Sequence, residues 1–412
     1  MAPDPIPAWQ PDDEAGEHKP TGPLAGVRVV DMTSVGMGPY ATQILGDMGA
    51  DVIKVEAPEG DVFRHAEPAL HPAMGAAFLN LNRNKRFAML DLKRDGDLAA
   101  LKTLIAGADV FVSNVRPASL RKLGLDYATL APDHPRLIYC GAYGYADDGP
   151  YAGQPAFDDI IQARSGMAAF QGANEDGPRY VNTILADKVA GLTVAYAIPM
   201  ALYERERSGR GQAIEVPMFE TLVSFLAVEQ LAGQTFVPPL GAAGYGRVMS
   251  PHRKPYRTSD GYLALLPYTS AQWTRFFALA GRGDLAADPR YATPAGRSAN
   301  IDTLYATLAD IVATRTTAQW LALLRDADIP HGEVPAFDAV LDDPHLRATG
   351  LVREYDHPTE GRLRTVGIPT RFSRTPGNIR RLPQALASRQ REQEPAPPDD
   401  ATRAGPARNS PG

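Results

Sequence analysis

The run Ala156-Phe157-Asp158-Asp159-Ile160-Ile161-Gln162-Ala163-Arg164-Ser165-Gly166 places a carboxylate at the start of an apolar, helix-like stretch. An acid at that position serves as a helix N-cap, accepting from free backbone N–H groups. Those groups and the helix dipole also keep it ionised. An ionised carboxylate is a competent nucleophile toward an activated acyl group, so Asp158 carries two compatible readings, cap and nucleophile.

Other residues suggest a ligand carrying a nucleotide. Gly36-Met37-Gly38-Pro39-Tyr40-Ala41 fits the G-x-G-x-x-G/A pattern of dinucleotide sites, and Glu56 follows where a ribose-binding acid would sit. An NAD-dependent oxidoreductase is therefore an alternative. Against it, several residues separate Asp31 from Gly36, whereas the first glycine of that pattern closely follows its strand. A turn merely loosened by glycine, or another nucleotide-bearing ligand at the helix N-terminus, fits the same residues. Two clusters suit phosphate: Asn80-Leu-Asn82-Arg83-Asn84-Lys85-Arg86, and Ser113-Asn114-Val115-Arg116-Pro117 with Arg121-Lys122 one helical turn on. A third basic run, Arg247-Val-Met-Ser-Pro-His252-Arg253-Lys254, is suited to orienting a carboxylate substrate, with a dicarboxylic acid the expected acceptor. The single cysteine, Cys140, lies in a strand-like run and reads as a buried, inert thiol. It also excludes a multi-cysteine zinc site, and no metal is expected.

These residues are carried by alternating β/α elements. Strands are predicted at 27–32, 51–56, 87–92, 109–113, 136–141 and 213–217, and helices at 38–48, 97–106, 117–123, 187–207 and 219–231. Nearly continuous apolar strands separated by helices predict an α/β fold, with a large, open, mostly parallel sheet covered on both faces. Glycine, proline and basic residues at 232–258 read as a crossover. Beyond it, a strand at 262–266 and helices near 270–280, 300–314 and 317–326 predict a smaller α+β domain. The expected divisions are a disordered arm at 1–22, a large domain at 23–225, a small domain at 226–334, a return to the large domain at 335–380, and a disordered tail at 381–412.

The 412 residues, 44% apolar and 22% charged, suffice for two or three domains and exclude wholesale disorder. A net charge of −6 gives no general attraction to nucleic acid or an anionic membrane. Residues 1–20 lack the basic and apolar regions of a signal peptide. The longest apolar stretch, Val189–Tyr203, is shorter than the ~20 residues of a membrane span. A cytoplasmic protein is expected, with no nucleic-acid or membrane partner.

Taken in order, the motifs resemble those of the family III CoA-transferases, a group that includes α-methylacyl-CoA racemases. The resemblance runs over about residues 23–376. It includes PLAGVRVVDMTSVGMGPYATQILGDMGADVIKVEAPEGDVFR, LNRNKR, SNVRP, FDDIIQARSG, ERERSGRGQAIEVPMFE, YRTSDGYL, DIPHGEV, DDPHLRATG and FSRTPG. It implies a homodimer of interlocked chains and a CoA thioester as substrate, with no permanently bound cofactor. It places the catalytic aspartate on Asp158 and a supporting carboxylate on Asp187. It places CoA contacts on Val35, Arg83, Lys85, Asn114, Arg116 and Arg121. Backbone N–H groups near Gly36–Tyr40, Gly36 and Gly38 among them, are expected to support catalysis by stabilising tetrahedral oxyanions. The racemase branch carries His before its aspartate, and Phe157 stands there instead, which favours CoA transfer over racemisation. Two positions depart from the family pattern. A glycine-run loop is replaced by Gly241-Ala-Ala-Gly244-Tyr-Gly246, and a CoA-binding lysine by Tyr143.

Overall fold

The computed structural model describes residues 19–385. Six strands form one wholly parallel sheet: β1 (Arg28–Met32), β2 (Asp51–Glu56), β3 (Lys85–Met89), β4 (Val110–Ser113), β5 (Ile138–Tyr143) and β6 (Ala213–Pro217). Their order is β3-β2-β1-β4-β5-β6, so the winding reverses between β1 and β4. In such sheets a crevice opens outside the carboxyl ends of the strands at the point of reversal.

The side-chain alternation of a strand explains why both faces are covered. Val29, Val110, Val112, Ile138 and Cys140 face a core shared with α1 (Met37–Asp47) and, later in the chain, four helices following β5. Val30, Phe111 and Tyr139 face the opposite core. After α1 come α2 (Ala76–Leu81), α3 (Asp95–Ala106), α4 (Pro117–Leu123) and α5 (Tyr127–Leu130). Of these, α3 and α4 bury Leu101, Ile105 and Leu120 in that second core. Pro117 opens α4 and Gly124 closes it in a left-handed conformation, the expected asymmetry of helix ends.

Next come α6 (Asp158–Arg164), α7 (Met167–Gln171), α8 (Leu185–Ser208) and α9 (Met218–Gln230). The apolar segment judged too short to span a bilayer extends into the 24 residues of α8, long and apolar enough to do so by length and composition alone. Here it is a core helix. Ala190, Val194 and Ile198 are completely buried, and the helix packs along α1, the sheet and α9.

A short helix, α10 (Gly246–Met249), lies in the crossover. A third core then forms around Trp273, Phe276, Tyr305 and Trp320. It is built on the antiparallel sheet β7-β8-β9 (Tyr256–Arg257, Tyr262–Leu265, His331–Glu333) and on α11 (Ser270–Leu279), α12 (Pro294–Ala299), α13 (Ile301–Val312) and α14 (Thr317–Leu324). Capping boxes at Thr269 and Thr316 start α11 and α14. The returning segment contributes an antiparallel hairpin, β10 (Val352–His357) and β11 (Gly361–Val366), separate from the parallel sheet.

The boundaries expected for the terminal segments require correction. Thr21 is tied to Pro376 and Asn378, and Arg381, Pro383 and Gln384 accept bonds from Asn84, His357 and Arg64. The ordered body therefore includes residues assigned to the arm and the tail. The rest of both segments lies outside the described residues.

Candidate active site

Asp158 is the first residue of α6 and is buried, whereas Asp159 beside it is exposed. Phe157, rather than Asp158, occupies the N-cap position of α6. The Asp158 carboxylate turns instead to the N-terminus of α8. Oδ1 accepts from the backbone N–H of Ala186 at 2.6 Å and of Asp187 at 3.2 Å. Oδ2 accepts from Gln162 Nε2 at 2.5 Å. Gln162 sits one helical turn after Asp158, on the same face of α6. Its amide is oriented by Val181, whose N–H donates to Oε1 at 2.9 Å, and by the Thr183 carbonyl, which accepts from Nε2 at 3.2 Å. The expected cap interaction thus exists, but on the longer helix, with its larger dipole.

Oδ1 is saturated by two donors, while Oδ2 has one partner and keeps a lone pair. The exposed side chains of Phe157 and Ile160 flank the carboxylate in sequence. A fixed carboxylate oxygen with a free lone pair is suited to attack on an acyl carbon.

Asp187 is the second buried acid at this site. Burial and the neighbouring Asp158 charge push its carboxyl up to about 6, against the opposing effect of the Met37 N–H. Gly36 owes its identity to this carboxyl, since a Cβ there would stand 2.5 Å from Asp187 Oδ2. At Gly38 a Cβ would stand 2.3 Å from the Thr33 side chain. The two glycines therefore permit close packing between the turn after β1 and its neighbours.

The predicted CoA-binding residues divide into two groups. At the winding reversal, Asn114 accepts from Ser34 N at 3.1 Å and donates to Ser34 O at 2.9 Å, tying the turns after β1 and β4 together. Val35 lies in the same turn, Arg116 is exposed at the start of α4, and the exposed Arg121 pairs with Asp147 at 3.1 Å. Arg83 and Lys85 are elsewhere. Arg83 makes a forked, buried pair with Asp47, Nη2 to Oδ2 at 2.7 Å, and also donates to the Val366 carbonyl. Lys85 is fully buried and donates to Asp31, the Pro39 carbonyl and Asn82. Burial lowers its ammonium to about 8, against the pull of Asp31 and with the added push of Lys54. Both cations, which the sequence suggested for phosphate, fasten α1 to the edge of the sheet.

Glu56, the acid on which the NAD alternative depends, is buried in a forked pair with Arg64, Oε2 to Nη2 at 2.8 Å. It cannot reach a ribose. Cys140 is buried, and burial pushes its thiol up to about 12, as an inert core cysteine requires. Tyr143, where the resemblance places a lysine, is a half-buried phenol whose ionisation burial suppresses. Among the described residues no cluster of three or more His, Cys, Asp or Glu could hold a metal.

Arg247 begins on α10 and reaches the small domain. Its Nε donates to Tyr305 Oη at 2.9 Å, and its guanidinium lies 4.7 Å from the Tyr268 ring centre. Asn174, which follows α7, donates to the Met249 carbonyl at 3.1 Å and links α10 to the large domain. Arg253 is exposed.

Sequence reasoning passed over Lys54 and Asp61. Both are buried, and they pair at 2.8 Å beneath the turn after β1. A lysine in the middle of the otherwise apolar strand Asp51-Val-Ile-Lys-Val-Glu56 was the available signal, because a charge there needs a buried partner.

Comparison with known proteins identifies the family. The family model described as CoA-transferase family III matches residues 24–386. The succinyl-CoA:glutarate CoA-transferase of Mus musculus is 33% identical over 356 residues, 85% of this chain and 81% of that protein. The succinyl-CoA:mesaconate CoA-transferase of Haloarcula hispanica is 32% identical, covering 86% of this chain and 91% of that one. Among solved structures, Rv3272 from M. tuberculosis superimposes with a TM-score of 0.77 at 30% identity, over 89% of this chain and 98% of that one. This chain belongs to CoA-transferase family III.

Proposed function

We propose that this protein transfers CoA from a small acyl-CoA donor, succinyl-CoA foremost, to a small dicarboxylic acid, with Asp158 as the covalent carrier. The observation that carries the reading is the Asp158 carboxylate itself, buried, held by the first N–H groups of α8 and by Gln162, with one lone pair free on Oδ2. The glutarate and mesaconate acceptors in the names of the relatives support the choice of acid.

Oδ2 attacks the donor thioester carbon, the C–S bond breaks, and CoA leaves as thiolate. The product is a mixed anhydride between Asp158 and the donor acid. The thiolate then attacks the aspartyl carbonyl, releasing the donor as its free carboxylate and leaving an aspartyl-CoA thioester. The acceptor carboxylate attacks that thioester, thiolate departs again, and a second anhydride forms. Attack of the thiolate on the acceptor's acyl carbon gives the new acyl-CoA and restores Asp158. One thioester is exchanged for another, so no outside energy source is required.

At each attack on the aspartyl carbonyl, negative charge develops on Oδ1. That atom already faces the N–H groups of Ala186 and Asp187, donors that need no rearrangement to hold an oxyanion. The sequence had suggested backbone N–H groups near Gly36–Tyr40 for this role, and the bonds to Asp158 favour α8 instead. CoA would lie across the winding reversal, near Val35, Asn114, Arg116 and Arg121, with Arg83 and Lys85 excluded by their buried partners. The far carboxylate of the acceptor is assigned to Arg247, whose guanidinium is oriented by Tyr305 and Tyr268. Homodimer formation is part of the proposal. It is supported by exposed apolar side chains on one stripe of α8 (Leu192, Tyr196, Met200 and Tyr203) and on α9 (Phe225 and Val228). Phe157 argues against the racemase reading, since no imidazole stands beside Asp158.

The test is a matrix of acyl-CoA donors against mono- and dicarboxylates, run on wild type and Asp158→Asn. Hydroxylamine trapping with peptide mass spectrometry accompanies it. Transfer and an adduct confined to Asp158 are expected in wild type, and neither in the variant. Turnover by folded Asp158→Asn protein would end the covalent scheme.

A further inference from the structure

The turn between β1 and α1 carries Gly36 and Met37 onto Asp187, and Asp187 in turn donates its backbone N–H to Asp158. Its conformation is unusual. Val35 has φ +69°, the left-handed region, where a β-branched side chain meets its own backbone. A residue stays there only when its surroundings outweigh that preference.

Those surroundings are polar, and every residue of the turn is held. Thr33 donates its N–H to Asp31 Oδ1 at 3.0 Å, and its carbonyl accepts from Lys54 Nζ at 2.7 Å. Ser34 is bonded through both backbone groups to Asn114. Val35 donates its N–H to Asp61 Oδ1 at 3.1 Å. Asp61 is itself immobilised, since Oδ1 also caps the short 3-10 turn Val62–His65 through Phe63 N at 3.0 Å, and Oδ2 pairs with Lys54 at 2.8 Å. Neither member of that pair is open to solvent.

We propose that Asp61, secured by Lys54, is a positioning residue for Asp158: it locks Val35 in the left-handed conformation that brings Gly36 and Met37 against the Asp187 carboxyl. The proposal rests on the CoA-transfer reading. Asp61 touches no reacting atom. Released from Asp61, Val35 relaxes to negative φ and the peptide at Gly36 rotates. The Met37 N–H then leaves Asp187, and the donors to Asp158 Oδ1 lose their alignment. Small displacements of a nucleophile carry large rate penalties, of order 10²-fold per ångström.

The prediction is tested by a double-mutant cycle with Asp61→Ala and Val35→Gly, because glycine adopts positive φ without help. Asp61→Ala in the wild-type background should lower kcat tenfold or more, whatever change in donor KM accompanies the movement of Val35. In the Val35→Gly background the same substitution should cost no more than about threefold in kcat. Equal losses in the two backgrounds, a loss confined to KM, or no loss would each overturn the proposal. If Asp61→Ala does not fold, hydrogen exchange at the Val35 amide of the wild-type protein decides. Protection like that of the flanking strand supports the lock, and exchange at the rate of an open loop overturns it. Transfer and Asp158 trapping in wild type are measured alongside. Their absence would end the transferase reading, while the exchange result would still report on the lock.

Discussion

Asp187→Asn should stabilise the protein above pH 6, an unusual outcome for removal of a buried, hydrogen-bonded acid. The folded chain raises this carboxyl from 3.8 to about 6, through burial first and the Asp158 charge second. A displacement of roughly two units corresponds to about 3 kcal/mol at ~1.4 kcal/mol per unit. The sign follows from proton binding. Between these two values the folded state holds a proton that the unfolded state has released, so stability falls as pH rises through the window. By pH 4 the penalty has fallen to about half a kcal/mol and it vanishes at lower pH, where both states are protonated, whereas above pH 6 nearly the full penalty is present. Asparagine is neutral throughout, and its side-chain oxygen still accepts from the Met37 N–H. The variant should therefore gain up to about 3 kcal/mol at pH 8 and only about half a kcal/mol at pH 4. Urea midpoints of both proteins at the two pH values provide the assay. Repeating it in an Asp158→Asn background should shrink the gain without abolishing it, because burial is the larger cause. A gain independent of pH, or a less stable variant at pH 8, would refute the reasoning.

Three further outcomes follow from particular side chains. Arg83→Met should destabilise the fold by about 3–5 kcal/mol by stranding Asp47, with donor KM unchanged; a raised donor KM in a fully stable variant would return Arg83 to the CoA site. Arg247→Ala should raise the acceptor KM about tenfold or more, the worth of one charge-assisted pair, and leave the donor KM alone; equal losses for both substrates would assign it to structure. Cys140 should resist thiol reagents in the native protein and react only on unfolding, and rapid native labelling would contradict its burial.

The parallel sheet was legible because its strands are short apolar runs between helices, and a strand buried on both faces must look like that. Asp51–Glu56, Pro117–Leu123 and Ala213–Pro217 coincide with their expected limits. Asp158 was legible from its place before an apolar helix. Its true partners were not, because the donors Ala186 and Asp187 lie 28 and 29 residues away and are backbone groups, which have no signature in side-chain type. The cluster around Arg83 and Lys85 misled for a related reason. Arg83 and Lys85 look like phosphate ligands until Asp47 and Asp31, far off in sequence, are brought against them. A cation's sequence neighbours do not reveal whether its charge is already paired.

The hydrogen bonds of residues 378–381 have a consequence for how the protein is made. Asn84, immediately before the edge strand β3, accepts from the backbone N–H groups of Arg380 and Arg381 and donates its side-chain amide to the Asn378 carbonyl. Arg380 also donates to the carbonyls of Gly46 and Ala50 at the end of α1, and Asn378 donates its N–H to Asp47 O. Every one of these partners is translated some 300 residues before its counterpart. During synthesis the N-terminal elements must therefore wait, with Asn84 and the carbonyls at the end of α1 lacking these partners, until residues 378–381 emerge. Chains cut short near residue 375 would contain Asp158 and its hydrogen-bond partners and still lack every one of these contacts.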